Sequence, residues 1–490
     1  MITSPATGEA IGLAALERQL AQDLIFLELP SKPWVPPTVR SGEAVRDVVV
    51  IGAGMCGLAA TAKLVLSGIT NIIAYDAAPQ GLEGPWVTFA RMKTLRSPKT
   101  LAGPSLGLPQ LTFRAWFTAQ FGATEWDAVD KIPKRMWMDY LIWYRRVLDL
   151  PVRNGVKLTA VSPDDGLIAL NVEEDGKTKR VLTRHLVLAT GRSGLGGAAI
   201  PPFLEGIDRR YWAHSADDID FAALKGKRVA VVGAGASAMD NAAAALESGV
   251  GSLAMLIRRK EMPRINKMTG IGSQGVIHGM HLLPDAWKWR FVDYTAREQT
   301  PPPRSSTLRV SSHANARFYL DCGIRGVAVK DGELHVDTTQ GPMAFDFLIA
   351  GTGFSNGFQG RDEFAAIAPF IRTWADGRQT AEMGPPRPGM SDAPDLGPAF
   401  EFREKVPGSC PILSRIHCFN DAAMLTHGKV SGDIPAVSAG ADRLVRGIAA
   451  ALFAADVEAH YENLMAYDTP ELQGDEWTDS TPLLHRENVP

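Results

Sequence analysis

Apolar positions along the chain cluster into short runs that end in glycine turns, and the arrangement occurs twice. "VVVIGAGMCGLAA" (48–60) and "RVAVVGAGASAMD" (228–240) each consist of an apolar run, a glycine turn and an alanine-rich stretch. Such a run, bounded by glycine and followed by small apolar residues, predicts a buried parallel strand entering a helix. Shorter stretches follow each copy: "VKLTAV", "LIALNV" and "KRVLT" after the first, "IRGVAV", "ELHVDT" and "GPMAF" after the second. Asp/Gly turns bracket them, which predicts a small antiparallel meander in each half. Both halves close on a buried strand and a Thr-Gly pair, "HLVLATG" and "DFLIAGTG". Gly52 and Gly233 lie 181 residues apart, far beyond a solenoid period, so the repeat predicts two related nucleotide-binding domains.

Outside the repeat, residues 10–27 place apolar side chains at helical spacing and predict a helix lying on the main body. "PSKPWVPP" is a connector. Between Trp86 and Leu150 Trp, Phe, Arg and Pro mix without a simple period, although "MWMDYLIWYRRVLDL" suits a buried helix. Residues 378–410 are rich in Pro, Gly and Asp and predict an extended surface loop. "GDIPAVSAGADRLVRGIAAALF" reads as a turn feeding a helix.

Composition narrows the function classes. At 490 residues, two or three domains are expected. A net charge of -3 and a pI near 6.4 speak against nucleic acid as a partner. No apolar run reaches the roughly 20 residues of a membrane span, and residues 1–25 lack a secretory pattern, so a cytoplasmic, membrane-free protein is expected. Cys56, Cys322, Cys410 and Cys418 form no CxxC pair, so no metal site and no disulfide framework is expected.

The first motif carries Gly52, Gly54 and Gly57. Two glycines serve a tight turn and close approach of a pyrophosphate, the third serves helix–strand packing. The helix N-terminus offers free N–H groups to phosphate. Asp76, 24 residues after Gly52, stands where a carboxylate accepts from ribose hydroxyls. The second motif carries Gly233, Gly235, Ser237 and, in the third place, Ala238, which widens the helix–strand contact slightly. There Arg258 and Arg259 follow Gly233 by 25 and 26 residues, nearly where Asp76 stands in the first unit. A guanidinium suits a 2′-phosphate and a carboxylate repels it. The first site is therefore expected to take a dinucleotide with free ribose hydroxyls, the second NADPH. A merely solvated strand end is the other reading of Arg258 and Arg259.

The order GxGxxG, "LATG", "LKGKRVAVVGAGASAMD" and "DFLIAGTGF" over residues 46–360 resembles the class B flavin-dependent monooxygenases: flavin-containing, N-hydroxylating and Baeyer–Villiger enzymes. The resemblance implies an α/β fold of two Rossmann-like domains for FAD and NADPH, the second inserted into the first, each with its meander. The expected division is 1–45 helix and linker, 46–200 first part of the FAD domain, 201–345 NADPH domain, and 346–490 FAD-domain completion with a substrate segment. It also implies that Trp86 and Arg91, in "GPWVTFARMKTLRSP", line the FAD. Thr190-Gly191 and Thr352-Gly353 would mark the domain crossings. The family's FxGxxxH fingerprint is not matched: His214 is present, but Asp208 and Arg210 occupy the Phe and Gly places.

Towards the C-terminus, Gly432-Asp433 precedes a helix, where such a pair can bond a ribityl chain; an N-cap aspartate is the other reading. His417 and Asn420 are the candidate acid/base and hydrogen-bond donor facing a flavin, or else satisfied structural residues. The function implied is an NADPH- and O2-dependent monooxygenase that oxygenates a small molecule through a C4a-peroxyflavin, at nitrogen or sulfur. Baeyer–Villiger oxygenation of a ketone and an NADPH reductase without oxygen transfer are the alternatives. A homodimer is left open.

Overall fold

The structure, a computed structural model, describes residues 10–358, 360–377 and 389–484. Helix α1 (Leu13–Phe26) buries Leu16 and Leu20. Strand β1 (Thr38–Arg40) turns back onto β2 (Glu43–Ile51), which passes through the first glycine turn into α2 (Met55–Leu66). β3 (Ile72–Asp76) returns parallel to β2. The aromatic segment forms α3 (Phe113–Ala128) and α4 (Lys134–Val147), and β4 (Val152–Asn154) then extends the sheet beyond β3. β5 (Val156–Asp164), β6 (Leu167–Glu174) and β7 (Lys177–Leu188) make the first meander.

"KRVLT" and "HLVL" are one strand, β7, and not two. No turn residue separates them, and buried Thr183 and Arg184 carry the ladder through the junction. β7 is antiparallel to β6 at one edge and parallel to β2 at the other, so meander and parallel strands fuse into one eight-stranded sheet.

The chain then builds a second body: β8 (Trp212–His214), β9 (Arg228–Val232), α5 (Ala236–Glu247), β10 (Ser252–Leu256), α6 (Gln274–Gly279), α7 (Asp285–Glu298), α8 (Arg304–Ser311) and β11 (Ala316–Tyr319). β12 (Ile324–Lys330), β13 (Glu333–Thr338) and β14 (Gly341–Phe345) form a separate antiparallel sheet, and β15 (Phe347–Ala350) returns beside β9. The five strands β11-β10-β9-β15-β8 are all parallel. Here meander and parallel strand are parted at Asp346, whose carboxylate takes the backbone N–H of Arg228 at 2.7 Å and its Nη2 at 2.6 Å.

The remaining helices and strands are α9 (Trp374–Gly377), β16 (Ile416–His417), α10 (Met424–His427), α11 (Val437–Ala455), α12 (Val457–Ala466) and α13 (Thr481–Leu484). β16 pairs with β7 of the first sheet, Ile416 opposite Leu186, so the chain returns to where it left: the second Rossmann-like body is inserted into the first. Of the expected surface loop, 378–388 lie outside the described residues, and the rest is largely interior. Ala393, Leu396, Phe400 and Phe402 are buried. Their irregular backbone is satisfied by other loops, Asp395 N–H to the Arg372 carbonyl and Phe402 N–H to that of Ile416. Among the described residues no helix is long and apolar enough to cross a membrane.

Candidate active site

The first turn is made by steric necessity. Gly52 has φ +98°, and a Cβ there would lie 2.4 Å from the Ala189 carbonyl oxygen at the end of β7; on Gly57 it would lie 1.8 Å from the Gly52 oxygen. Gly54 precedes α2, whose first turn has no side-chain cap and no acidic residue, so its N–H groups remain available to an anion. Asp76 accepts from Ala53 N–H at 2.7 Å and Ala78 N–H at 2.8 Å. Burial pushes its carboxyl up, and those two N–H groups pull it back. Two accepted bonds leave further lone pairs on this carboxylate, as an acid that takes ribose hydroxyls requires.

The loop after β3 is fastened by residues without a motif. Glu83 accepts from Gly81 N–H at 2.7 Å, Asn154 Nδ2 at 2.7 Å and Arg145 Nη1 at 3.1 Å. This brings Gly84 against the turn, its Cα 3.7 Å from where a Gly54 Cβ would be. Trp86 follows, with its indole Nε1 buried and without a partner among the described residues. Free backbone N–H groups, an acid at the strand end and an unpartnered indole donor fit the dinucleotide portion of FAD.

In the second turn Gly233 has φ +115° and its Cβ would meet the Gly351 oxygen at 2.6 Å. A side chain on Gly351 would in turn meet the Ala238 methyl at 2.6 Å, so glycine after β15 makes the room that alanine in the third place requires. A Cβ on Gly235 would have nothing within 4 Å, and α5 has no side-chain cap. Ser237 is exposed in the first turn of α5. Arg258, just past β10, is exposed and has no carboxylate partner among the described residues. Arg259 donates to the Arg297 carbonyl at 2.7 Å and is thereby tied to the end of α7. One free guanidinium beside an open glycine turn fits the 2′-phosphate of NADPH.

The two Thr-Gly pairs end β7 and β15, and the segments that follow them run side by side. Thr352 Oγ1 donates to the Ala199 carbonyl at 2.6 Å, Ala199 N–H to that of Gly353 at 2.9 Å, and Ser355 N–H to that of Gly197 at 3.0 Å. Thr190 Oγ1 donates to the Gly194 carbonyl at 3.2 Å, and both Gly191 and Gly353 adopt positive φ. The C-terminal segment closes over this junction. Asn420 Nδ2 donates to the Leu188 carbonyl and to Thr190 Oγ1, each at 3.2 Å, while Ser431 Oγ donates to the Asn420 carbonyl at 2.8 Å. Cys56 Sγ, in α2, reaches the Ser431 carbonyl at 3.2 Å.

Residues 46–270 match the pyridine nucleotide-disulphide oxidoreductase family. The chain is 39% identical over 477 residues to an FAD-dependent urate hydroxylase from Xanthomonas campestris, covering 97% of this chain and all of that protein. The chain belongs to the class B flavin-dependent monooxygenases. Among solved structures it shares its fold with the cadaverine monooxygenase of desferrioxamine biosynthesis from Erwinia amylovora (TM-score 0.63, 19% identity, 83% of this chain and 95% of that one). The same holds for the ornithine hydroxylase of Pseudomonas aeruginosa (TM-score 0.65, 15% identity, 82% and 98%).

A disulfide-exchanging member of the wider oxidoreductase group needs a cysteine pair, and Cys56, beside the first turn, has no second cysteine at CxxC spacing in this monooxygenase. Burial pushes the Cys56 thiol up to about 12, too high for a thiolate nucleophile.

Two of the candidate residues take other places. His417 is buried in β16 with both ring nitrogens engaged, Nδ1 on the Ala399 carbonyl at 2.7 Å and Nε2 on His185 Nδ1 at 3.1 Å. Burial brings it down to about 4, so it is a neutral core residue with no nitrogen left for a substrate. Arg91 points at the second body: its guanidinium donates to the Thr88 and Asp217 carbonyls and covers the Phe221 ring. Its own carbonyl takes Arg309 Nη1, which also reaches Asp240 at 3.3 Å, while Arg309 Nε and Nη2 pair with Glu247. Asp240 stands inside the second motif, yet only the fold reveals Arg309 opposite it.

Asn420 is buried and its amide fully used, which makes it a positioning residue for Thr190. Asp433 makes no capping bond, and Lys429 Nζ lies 3.5 Å from its carboxylate. His214 is buried beside β15, its Nδ1 accepting from Ala216 N–H at 3.2 Å.

Proposed function

We propose that this monooxygenase uses NADPH and O2 to oxygenate a small, electron-rich, anionic heterocycle of the urate type. The full-length match to an FAD-dependent urate hydroxylase carries the reading, because it spans both glycine turns and the C-terminal segment alike. In it, Gly52, Gly54, Gly57, Asp76 and Trp86 hold FAD, and Gly233, Gly235, Ser237, Ala238 and Arg258 hold NADPH. Asp433 and the start of α11 face the flavin end of the first site. When bound, FAD takes hydride from NADPH and activates O2.

The residues of the chain bind, orient and exclude water. In this reading the paired crossings at Thr190-Gly191 and Thr352-Gly353 join the two nucleotide sites, and Asn420 keeps the first crossing in place. Arg96, Arg192 and Lys429 outnumber Asp421 and Asp433 near the C-terminal segment, where Arg96 feels both Asp433 and Arg192 and Arg192 Nε lies 4.0 Å from Asp421. That balance supports an anionic, acceptor-rich substrate. Oxygenation at the nitrogen of an aliphatic amine is the second reading, favoured by the half-exposed Asp421 carboxylate. A cytoplasmic location and a homodimer belong to the proposal as well, the latter supported by exposed Val457, Tyr461, Leu464 and Met465 on α12.

The deciding experiment measures NADPH oxidation, O2 uptake, peroxide and product with purified FAD-loaded protein. Urate is expected to raise O2 uptake and to form product with little free peroxide. Product from ornithine, lysine or cadaverine alone would replace the heterocycle by an amine. Rapid dye reduction with no substrate-dependent O2 uptake would make the protein a reductase.

A further inference from the structure

Residues 86–150 pack a column of oxidisable rings that dinucleotide binding does not require. Trp86, beside the first glycine turn, meets Trp137 with centroids 6.1 Å apart, and Trp137 meets Tyr140 at 5.1 Å. Tyr140 then meets Trp143 at 6.0 Å, so each ring touches the next. The inner end borders the flavin side of the fold. A Cβ on Gly103 would lie 3.2 Å from Trp137 Cη2, and the Gly103 carbonyl accepts from Ser438 Oγ at the start of α11. The outer end is different: Trp143 Nε1 donates to Glu17 Oε1 of α1 at 3.0 Å, and Glu17 is partly exposed and paired with Arg146.

The indole N–H groups separate these rings by what each can do with a proton. Trp86, Trp116 and Trp137 have buried Nε1 atoms without partners among the described residues, whereas Trp143 has a carboxylate. Tyr140 donates to the Leu111 carbonyl at 2.6 Å, which is no base. Trp126 lies under Lys99 and Arg114, at 5.2 and 5.7 Å, and two cations over its face make it hard to oxidise. A positive charge left on an inner indole is buried and unpaired, which is costly. At Trp143 it is removed by loss of one proton.

We propose that Trp86, Trp137, Tyr140 and Trp143 form a one-electron route that carries oxidising equivalents from the flavin position to Glu17 at the surface of α1. The inference rests on FAD occupying the first turn. The oxidant is a stray one-electron oxidant of the hydroxyl-radical class, formed when oxygen chemistry at the site goes astray. It takes one electron from Trp86, and Trp137 returns one electron to Trp86. One electron then passes from Trp143 across the Tyr140 ring to Trp137. Trp143 releases its Nε1 proton to Glu17 and remains a neutral indolyl radical; the oxidant is reduced by one electron and the inner rings are restored. Damage is thereby moved away from the reacting centre.

The test uses the FAD-loaded full chain, with FAD excited by blue light as the oxidant, and compares wild type with Trp143→Phe and Glu17→Gln. Transient absorption is expected to show a long-lived neutral indolyl radical in wild type. Trp143→Phe should lose it and show only fast recombination; Glu17→Gln, an isosteric change at a partly exposed side chain, should delay deprotonation. After prolonged NADPH turnover without substrate, peptide mass spectrometry should find oxidation at Trp143 in wild type and nearer Trp86 in Trp143→Phe. The route is overturned if radical lifetimes and oxidation sites are the same in all three proteins. It is equally overturned if wild-type oxidation stays at Trp86. Failure of the protein to bind FAD at all would instead overturn the functional reading beneath it.

Discussion

The two glycine turns share a sequence pattern and differ in how the fold uses them. In the first, backbone closes on backbone: side chains on Gly52 and Gly57 would meet carbonyl oxygens at 2.4 and 1.8 Å, and Asp76 is already bonded to two N–H groups. In the second, Gly235 is open and Arg258 has no carboxylate partner among the described residues. The strands behind them differ likewise. β7 runs unbroken from meander into parallel sheet, whereas Asp346 parts β14 from β15. The first turn is thus part of one continuous core, and the second sits on a smaller body held by side chains such as Arg309 and Arg91. A side chain in place of glycine is therefore expected to disturb the fold in the first unit and to leave it intact at Gly235 in the second.

The sharpest way to break this comparison is Gly57→Ala against Gly235→Ala. Gly57→Ala is expected to cost more than about 4 kcal/mol and to yield little soluble, FAD-loaded protein. Gly235→Ala should leave the unfolding free energy within about 0.5 kcal/mol of wild type while raising the NADPH Michaelis constant. Equal losses in soluble yield would erase the difference between the turns.

Next in size is the pairing of α8 with α5 inside the second body. Arg309→Ala leaves Asp240 buried without its cation and should cost about 3 kcal/mol in urea unfolding. If stability is unchanged, the second body does not depend on that pair.

Within the second turn, Arg258→Ala should weaken NADPH by about tenfold, roughly 1.4 kcal/mol, and leave NADH almost untouched. Arg259→Ala should do less, since its guanidinium already serves the Arg297 carbonyl. Equal effects on both nucleotides would remove the 2′-phosphate assignment.

The smallest effect concerns the first sheet and pH. Burial holds His185 and His417 below the usual histidine range, so the unfolded chain, titrating near about 6.5, binds their protons first. Their contribution is complete above that pH and is lost as pH falls. Asp47 opposes them: burial raises it to about 6 against about 3.9 unfolded, so it stabilises at low pH and ceases to as pH rises through about 6. Asp47→Asn should therefore steepen the fall in melting temperature between about pH 7 and pH 4. A parallel curve would mean that Asp47 does not titrate in that range.

Much of this molecule was legible as pattern. Both strand–turn–helix units, both meanders and the terminal Thr-Gly pairs follow from periodicity and glycine placement, because those depend on neighbours in the chain. Arg91 and His417 show the limit. Each carries suitable chemistry at a plausible place, yet one serves the contact between bodies and the other the core beneath β7. Burial and partners from residues more than a hundred positions away decided that. Glu83, Arg145 and Asn154 left no signal, since a network of single polar residues has no period.

By itself, then, the chain determined the two glycine turns and the opposite charges at their strand ends, since local sterics and spacing suffice for those. Only the tertiary structure decided that Gly351 makes room for Ala238, that Asn420 holds Thr190, and that Trp86 leads through Trp137 and Tyr140 to Trp143. Close packing between distant segments sets those contacts, and no local pattern encodes which distant surfaces will meet.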